Sequence, residues 1–349
     1  MSKEELKLVG AYGSPYSRKM RAVLRYRRIP FRWVLGVAPG AKDIPPVPVA
    51  LIPVLVFPGA GGAAASAMID STFQIRRLEE SHAGRSIVPP DPALAFLDAL
   101  VEDYADEWLT KAMFHYRWAY AADAAKASRV LPLDGHFGMD ERQQEATARA
   151  FAERQIGRLA VVGSNATTGP VIEASYRRLL ELLAAHLTHT PFILGARPGC
   201  GDFGLFGQLS QLAQFDPTST AVAAEIAPRV IAWANRVDDL AWLDLADERS
   251  GWLSREQLPD SLRALFAEIG RVYAPFLLAN AAALAAGAEQ VVCTIDGARW
   301  EQKPFPYQAK CLRWLREGRA ALEPADRHWV DGVLAGTGCE ALFAGSGAS

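Results

Sequence analysis

Ser14, Ser17, Asp70 and Ser71 are the residues of this chain whose types and settings could do chemistry. Ser14-Pro15-Tyr16-Ser17 follows the apolar run Leu6–Ala11 and leads into Arg18-Lys19-Met20-Arg21. A hydroxyl ahead of a proline suits a helix N-cap, because proline in the first turn lacks only an N–H that would have no partner there. The start of a helix gathers unpaired N–H groups and the positive end of the dipole, so an anion placed there is stabilised. A serine at that spot could donate to such an anion, although an ordinary capping serine has the same local sequence. Ser17 is the rival donor, one turn further in, where its hydroxyl could instead bond its own backbone. Asp70-Ser71 offers a carboxylate-and-hydroxyl pair ahead of the helical stretch Thr72–Glu80.

The elements that must position these residues are readable in outline. Leu6–Ala11 reads as a buried strand, followed by the Ser-Pro helix and a strand over Phe31–Leu35. Ile52-Pro53-Val54-Leu55-Val56 places a proline just before another strand, and a further strand precedes the Asp-Ser helix. After Pro89-Pro90-Asp91-Pro92 the strand signals almost vanish. Leu97, Leu100, Val101, Tyr104, Trp108, Phe114 and Trp118 recur at helical spacing within Leu94–Tyr120. Asp123–Phe137, with Pro132 and Gly135, reads as a connection. Helical patterns resume over Glu141–Val161, Ile172–Leu187, Phe203–Gln214 and Thr220–Leu240.

The order strand, Ser-Pro helix, strand, Pro-led strand, strand, Asp-Ser helix resembles the thioredoxin-like N-terminal domain of the glutathione S-transferase family. The matching residues are Ser14-Pro15-Tyr16-Ser17, Ile52-Pro53, and Asp70-Ser71 with Ile75 and Leu78 behind them. The likeness runs from Leu6 to about Leu245. It implies an α/β thioredoxin-like domain over residues 5–84, an all-helical acceptor-binding domain over 91–245, and a mostly helical C-terminal extension over 246–349 whose role is open.

The resemblance also implies roles. The proline matching Pro53 would be cis, with the backbone of Ile52 pairing with the cysteinyl part of glutathione. Asp70 and Ser71 would hold its γ-glutamyl end, a carboxylate suiting the ammonium and a hydroxyl at a helix start suiting the α-carboxylate. Ser14 would donate to the sulfur and favour thiolate; alignment of the basic stretch after it prefers Ser14 to Ser17. A free thiol has a pKa of about 8.5, and a drop of about two units corresponds to roughly 2.7 kcal/mol. One hydrogen bond to a charged acceptor gives about 1.5–3 kcal/mol and a helix dipole about 0.3–1, so no dedicated base is needed. The glycine carboxylate needs a cation, for which Lys42 in the Gly36–Pro46 loop is the candidate. Tyr16, Tyr104 and Trp108 are the expected acceptor contacts.

Composition bounds the alternatives. The chain has 349 residues, half of them hydrophobic, and a net charge of −2, so a sizeable core is available and no polyanion partner is signalled. The basic run Arg18–Arg28 reads as a helix face near an anionic ligand rather than a nucleic-acid patch. The four cysteines, Cys200, Cys293, Cys311 and Cys339, lack metal or redox spacing and all lie beyond residue 199, which excludes a sulfur partner at Ser14 for thiol–disulfide exchange. No metal cofactor is expected: the six histidines show no HExxH spacing, and His186 with His189 reads as a cationic helix end. Met1–Lys7 is charged and lacks the apolar core of a secretory signal, which leads one to expect a cytoplasmic protein. Phe276–Ala288 is apolar but short and broken by Asn280, so a core helix is expected rather than a membrane span.

Two patterns are traps. Gly199-Cys200-Gly201-Asp202-Phe203-Gly204 matches GxGxxG but lies among helices, so Asp202 is expected to cap a buried helix rather than to mark a dinucleotide site. Asp238-Asp239 and Glu79-Glu80 read as solvated faces. In the tail, Val291–Ile295 and Ala298–Gln302 around Asp296-Gly297 form a hairpin signal. Helix is expected over Pro259–Ala286, with Pro275 a kink or break, and over Gln308–Leu322 and Ala325–Leu334. Trp300, Phe305, Tyr307 and Trp314 could shape an acceptor pocket, though packing against the bundle is the commoner use of such aromatics.

The resemblance therefore implies a homodimeric transferase of the detoxification type. In it, glutathione, as cosubstrate, attacks a small hydrophobic electrophile by aromatic substitution, conjugate addition or displacement. The alternative is a noncatalytic binding or assembly module of the same fold, since fold alone does not fix function. Retention on immobilised glutathione separates the two.

Overall fold

The structure, a computed structural model, describes residues 5–36, 44–59, 65–247 and 249–344. Strands β1 (Leu6–Gly10), β2 (Phe31–Leu35), β3 (Val54–Phe57) and β4 (Ser66–Met68) form one sheet in the order β2-β1-β3-β4. Helix α1 (Pro15–Tyr26) links β1 to β2, which run parallel with Gly10 beside Leu35. β3 is antiparallel to β1, with Val54 beside Val9, and β4 is antiparallel to β3, with Met68 beside Leu55. Helix α2 (Ser71–Ser81) follows β4. Successive strand residues face opposite ways. Leu8 and Leu55 therefore enter the main core with Met20, Leu24, Ile75 and Leu78 of the helices, while Val9, Val34, Val54 and Val56 form a small apolar cluster on the other face.

The register places the end of β1, the start of β3 and the end of β4 at one end of the sheet. Ser14, Ile52-Pro53 and Asp70 all leave the sheet from that end.

An all-helical unit comes next: α3 (Pro92–Tyr104), α4 (Thr110–Ala119), α5 (Ala121–Val130), α6 (Glu141–Ile156), α7 (Gly169–His186), α8 (Cys200–Leu212), α9 (Pro217–Ile226) and α10 (Pro228–Asp238). Proline opens α1, α3, α9 and α10, where its fixed φ favours the first turn. The expected connection over Asp123–Phe137 is mostly helix, since α5 occupies Ala121–Val130. Its five alanines, the best helix formers, carry it, and Pro132 and Gly135 act only beyond its end. The single helix expected over Thr220–Leu240 is two, because Pro228 holds Ala227 out of the helical region at φ −145°. Between α3 and α4, Ala105–Leu109 forms a π-helical turn that periodicity did not disclose. The arrangement is a thioredoxin-like domain followed by an all-helical one.

Residues beyond Leu245 are not an appendage. Helix α11 (Asp260–Ala285) runs through Pro275 without breaking and buries Leu262, Leu265, Phe266, Ile269, Val272, Tyr273, Phe276 and Leu277 in the same core as α3, α7 and α8. The hairpin β5 (Val291–Ile295) and β6 (Ala298–Gln302) turns at Asp296 and Gly297, both at positive φ, as an Asp-Gly turn requires. Trp300 from β6 is fully buried, and α12 (Pro306–Ala320) and α13 (Pro324–Leu334) complete the segment. Among the described residues, no helix is long and apolar enough to cross a membrane.

Candidate functional site

Ser14 sits at the N-cap of α1 in extended backbone, and its Oγ accepts the Ser17 N–H at 3.3 Å. Accepting that bond leaves its own O–H hydrogen free to donate outward. The half-buried Ser14 turn is anchored by the helical unit. Arg117 donates to the Gly13 carbonyl at 2.8 Å and is itself held by Asp216, Gln211 donates to the Tyr12 carbonyl at 3.2 Å, and the Tyr12 N–H reaches Asp134 at 3.0 Å. Gly207 of α8 lets the two helices touch, since a Cβ there would lie 2.8 Å from the Pro15 carbonyl oxygen. Ser17 is fully buried, and its Oγ would lie 2.6 Å from a Cβ at Gly10, so it faces β1.

The Ile52–Pro53 peptide bond is cis, and Ile52 is 38% exposed. Behind it the fully buried Gln74 donates to the carbonyls of Pro53 at 3.0 Å and Met68 at 2.7 Å, tying the proline turn to the end of β4. Asp70 caps α2 at φ 74°, ψ 110°, a backbone setting that costs a non-glycine residue about 1–3 kcal/mol. One carboxylate oxygen accepts the Thr72 N–H at 3.1 Å and the other accepts the Tyr307 hydroxyl at 2.5 Å. Ser71 beside it is buried. Lys42 lies outside the described residues.

A polar seam runs from this sheet end into the bundle. The Thr72 hydroxyl donates to Glu102 at 3.1 Å, and the fully buried Lys19 ammonium bonds Glu102 and Asp106 at 2.6 Å each. Burial works against the Lys19 ammonium, but the two carboxylates outweigh it and hold the group above its ordinary range. Burial raises Asp106 to about 6 despite Lys19. The wider π-helical turn leaves carbonyls to outside donors: Tyr16 takes Asp106 O at 2.7 Å and Gln308 takes Glu107 O at 3.2 Å. Asp103, bonded by the Tyr273 hydroxyl at 2.6 Å, is raised to about 7, and Glu107 to about 8, by burial first and by neighbouring carboxylates. Lys111 is lowered to about 7 by burial, although Glu107 and the ring face of Phe276, 4.1 Å away, favour the ammonium.

Carboxylates whose folded pKa lies above the ordinary value contribute stability that is present below the unfolded pKa and lost as pH rises through the folded one. Between about pH 4.5 and 8 the folded state therefore keeps a proton on Glu107 that the unfolded state has released. Glu107→Gln is expected to gain thermal stability relative to the unsubstituted chain as pH rises across that window. Parallel melting curves at about pH 5 and pH 8 would refute this.

Several expectations need correction. Tyr104 and Trp108 are core rather than the wall of an open pocket: they are 0% and 3% exposed. Tyr104 packs on Tyr273 at 6.1 Å, and Trp108 packs on Phe276 and Trp300 at 5.9 and 5.2 Å. The C-terminal segment fills the space where an acceptor was expected. Tyr16 is spent on the Asp106 carbonyl. The arginines of the Arg18–Arg28 run face protein instead of an anionic ligand, since Arg18 and Arg21 of α1 pair with Asp238 at 3.2 and 2.9 Å and Arg28, just past its end, pairs with Asp244. Asp238 is thus an ion partner, not a solvated face, and Glu79 likewise pairs with Arg27 at 2.9 Å. His186 is 1% exposed, bonded to Ser261 and lowered by burial, so it is a neutral core group and not a cationic cap. Asp202 does cap α8, accepting the N–H groups of Gly199 and Ile193.

Sequence reasoning leaves Gln74, Thr72 and Lys19 without a role at the site, and Tyr307, read there only as a pocket or packing aromatic, instead bonds Asp70. Gln74 had a signal, a polar residue on the buried stripe Ser71, Gln74, Ile75, Leu78 of α2. Among the described residues no group of three or more His, Cys, Asp or Glu side chains could hold a metal ion.

The N-terminal domain model of glutathione S-transferases matches residues 8–86, and the C-terminal domain model matches residues 141–236. Among solved structures, a glutathione S-transferase from Methylobacterium radiotolerans in complex with glutathione sulfonate is 22% identical, with 67% of this chain and 90% of that chain covered and a TM-score of 0.40. A Tau class enzyme from mango, Mangifera indica, is 19% identical over 77% of this chain and 99% of its own, with a TM-score of 0.41. A glutathione transferase from Burkholderia graminis with two glutathione molecules bound per subunit is 19% identical over 68% and 85%, with a TM-score of 0.41. No curated protein matches the chain. Its two domain matches fall in chain order on the sheet domain and on the helical one, and the chain belongs to the glutathione S-transferase family.

Proposed function

We propose that the chain is a glutathione transferase in which Ser14 stabilises the glutathione thiolate for attack on a small electrophile. The observation that carries this reading is the gathering of three devices at one sheet end: a free hydroxyl hydrogen on the α1 cap, a cis Ile52-Pro53 turn, and a strained Asp70 on the α2 cap. The Ile52 backbone would pair with the cysteinyl unit, in line with the strand it precedes. Asp70 would receive the γ-glutamyl ammonium, while Ser71 and the α2 N–H groups would receive its α-carboxylate. The Ser14 hydroxyl and the positive end of α1 would meet the sulfur. Burial of Ser17 against Gly10 supports Ser14 as the donor. With Tyr104 and Trp108 covered, the acceptor is expected to approach from the Tyr12 side of the Ser14 turn, where Tyr12 is 43% exposed.

Ser14→Ala is expected to lower kcat while largely sparing glutathione affinity, because its hydrogen bond strengthens as the sulfur becomes anionic. The bound thiol, followed by thiolate absorbance against pH, should titrate about one unit higher or more, equivalent to about 1.4 kcal/mol. The same shift in Ser17→Ala, with none in Ser14→Ala, would reverse the assignment. Absence of glutathione binding at millimolar concentration in calorimetry would end the proposal.

A further inference from the structure

The C-terminal segment reaches the start of α2, and at Asp70 it does so with a defined donor. The Tyr307 hydroxyl lies 2.5 Å from the Asp70 carboxylate, across 237 positions of sequence, within the range of a charge-assisted O–H···O⁻ bond. Burial first, and then Asp70, keep the phenol protonated, so Tyr307 acts there only as a donor.

This contact is prepared by a chain of others. Asn280 of α11, fully buried, clamps the backbone of Phe305, donating to its carbonyl at 3.0 Å and accepting its N–H at 2.8 Å. That fixes the residue that caps α12, two positions ahead of Tyr307. Gln308 then bonds Glu107 O in the π-helical turn. Further along α12, Trp314 packs edge-on against Phe73 of α2 with ring centroids 5.1 Å apart, and Tyr307 packs on Trp314 at 5.8 Å. Asp70 and Phe73 are three apart at the start of α2, and Tyr307 and Trp314 are seven apart on α12, so each pair falls along one side of its helix. The two helices are thereby held in register at the carboxylate.

We infer that Tyr307 is a positioning residue of the glutathione site, supplied in cis by the C-terminal segment, which orients the Asp70 carboxylate toward the γ-glutamyl ammonium. The inference rests on the role given to Asp70 above. A carboxylate offers about four lone-pair sites. The Thr72 N–H and the Tyr307 hydroxyl take one on each oxygen and stop the group from rotating, and the remaining sites are left for an ammonium. Freed from Tyr307, the carboxylate would have to be ordered by the ligand itself, at a cost in affinity.

Calorimetry with two ligands tests this: glutathione, and its analogue with a glutaryl group in place of the γ-glutamyl, which lacks only the ammonium. Tyr307→Phe keeps the ring on Trp314, so the variant should fold cooperatively, its melting temperature lowered only by the lost hydrogen bond to Asp70. Glutathione should bind about tenfold more weakly, with KM raised and kcat unchanged, while the affinity for the glutaryl analogue stays the same. In an Asp70→Asn background Tyr307→Phe should cost no further affinity. Equal weakening of both ligands, or additive losses with Asp70→Asn, would overturn the inference in favour of a purely structural tyrosine. So would unchanged glutathione affinity in Tyr307→Phe. If the unsubstituted chain binds neither ligand, the role of Asp70 falls and the inference falls with it.

Discussion

A chain ending at Leu245 is expected not to reach a cooperative fold. The helical unit leaves Phe96, Tyr104 and Trp108 to be covered from beyond that point. Phe96 packs on Phe343 at 5.8 Å, Tyr104 on Tyr273, and Trp108 on both Phe276 and Trp300. Fully burying one large apolar side chain contributes about 1.5–3 kcal/mol. Uncovering three or four of them therefore approaches the whole of a typical stability of about 5–15 kcal/mol. The truncation also removes the Tyr273 donor to Asp103 and the Arg178–Glu268 pair at 2.7 Å, leaving charged groups at the new surface of the core. Broad, non-cooperative melting by circular dichroism and strong binding of a hydrophobic dye are the expected results. A monodisperse truncated chain with a sharp transition near that of the full chain would show that the segment is dispensable.

Helical periodicity marks a buried stripe without naming what buries it. Tyr104 and Trp108 stand at helical spacing in the sequence, and that spacing announces a buried stripe. It does not say whether a ligand or another helix covers the stripe, and here the answer comes from Tyr273, Phe276 and Trp300, more than 150 residues away. Local signals fared better where one residue decides the outcome. Ser14, Asp70 and Asp202 cap helices as their side chains allow, Pro53 is cis, and Asp296-Gly297 turns a hairpin. Pro275 was an exception, since neighbouring packing of α11 overrides its tendency to break a helix. The π-helical turn has no signature in residue type, and the tie from Tyr307 to Asp70 has none either, because both arise only when distant elements meet. Charge patterns misled in the same way: the arginines of α1 look like an anion site until Asp238 arrives from α10.

Lys19→Met is expected to destabilise the fold by about 3–5 kcal/mol, the usual cost of removing one partner from a buried ion cluster. Lys19 is 0% exposed, and its ammonium is the shared partner of Glu102 and Asp106 at 2.6 Å each. Methionine fills similar volume, so the loss comes from the two carboxylates left buried rather than from a cavity. Asp106 already has one oxygen buried without a hydrogen-bond partner, and it would lose the partner of the other. The deficit should shrink as pH falls, because protonation of Asp106, which burial already raises to about 6, removes a stranded charge. Lys19 itself, held above its ordinary value, contributes stability that is fully present below its unfolded pKa of about 10.5 and is lost only at higher pH. Replacing all three together, with Met at 19, Leu at 102 and Leu at 106, should recover much of the stability, since a well-packed apolar substitute for a buried ion cluster is often neutral or better. It should not recover the glutathione binding proposed above. Glu102 also accepts from the hydroxyl of Thr72 at 3.1 Å, whose N–H bonds the Asp70 carboxylate, so the cluster ties the start of α2 to α1 and sets the two sides of the proposed site relative to each other. Chemical denaturation of the single and triple variants gives the stability comparison, and calorimetry on the folded triple variant gives the affinity. A Lys19→Met variant within about 1 kcal/mol of the unsubstituted chain would show that water reaches the cluster and that the ion triad is not what joins the two domains.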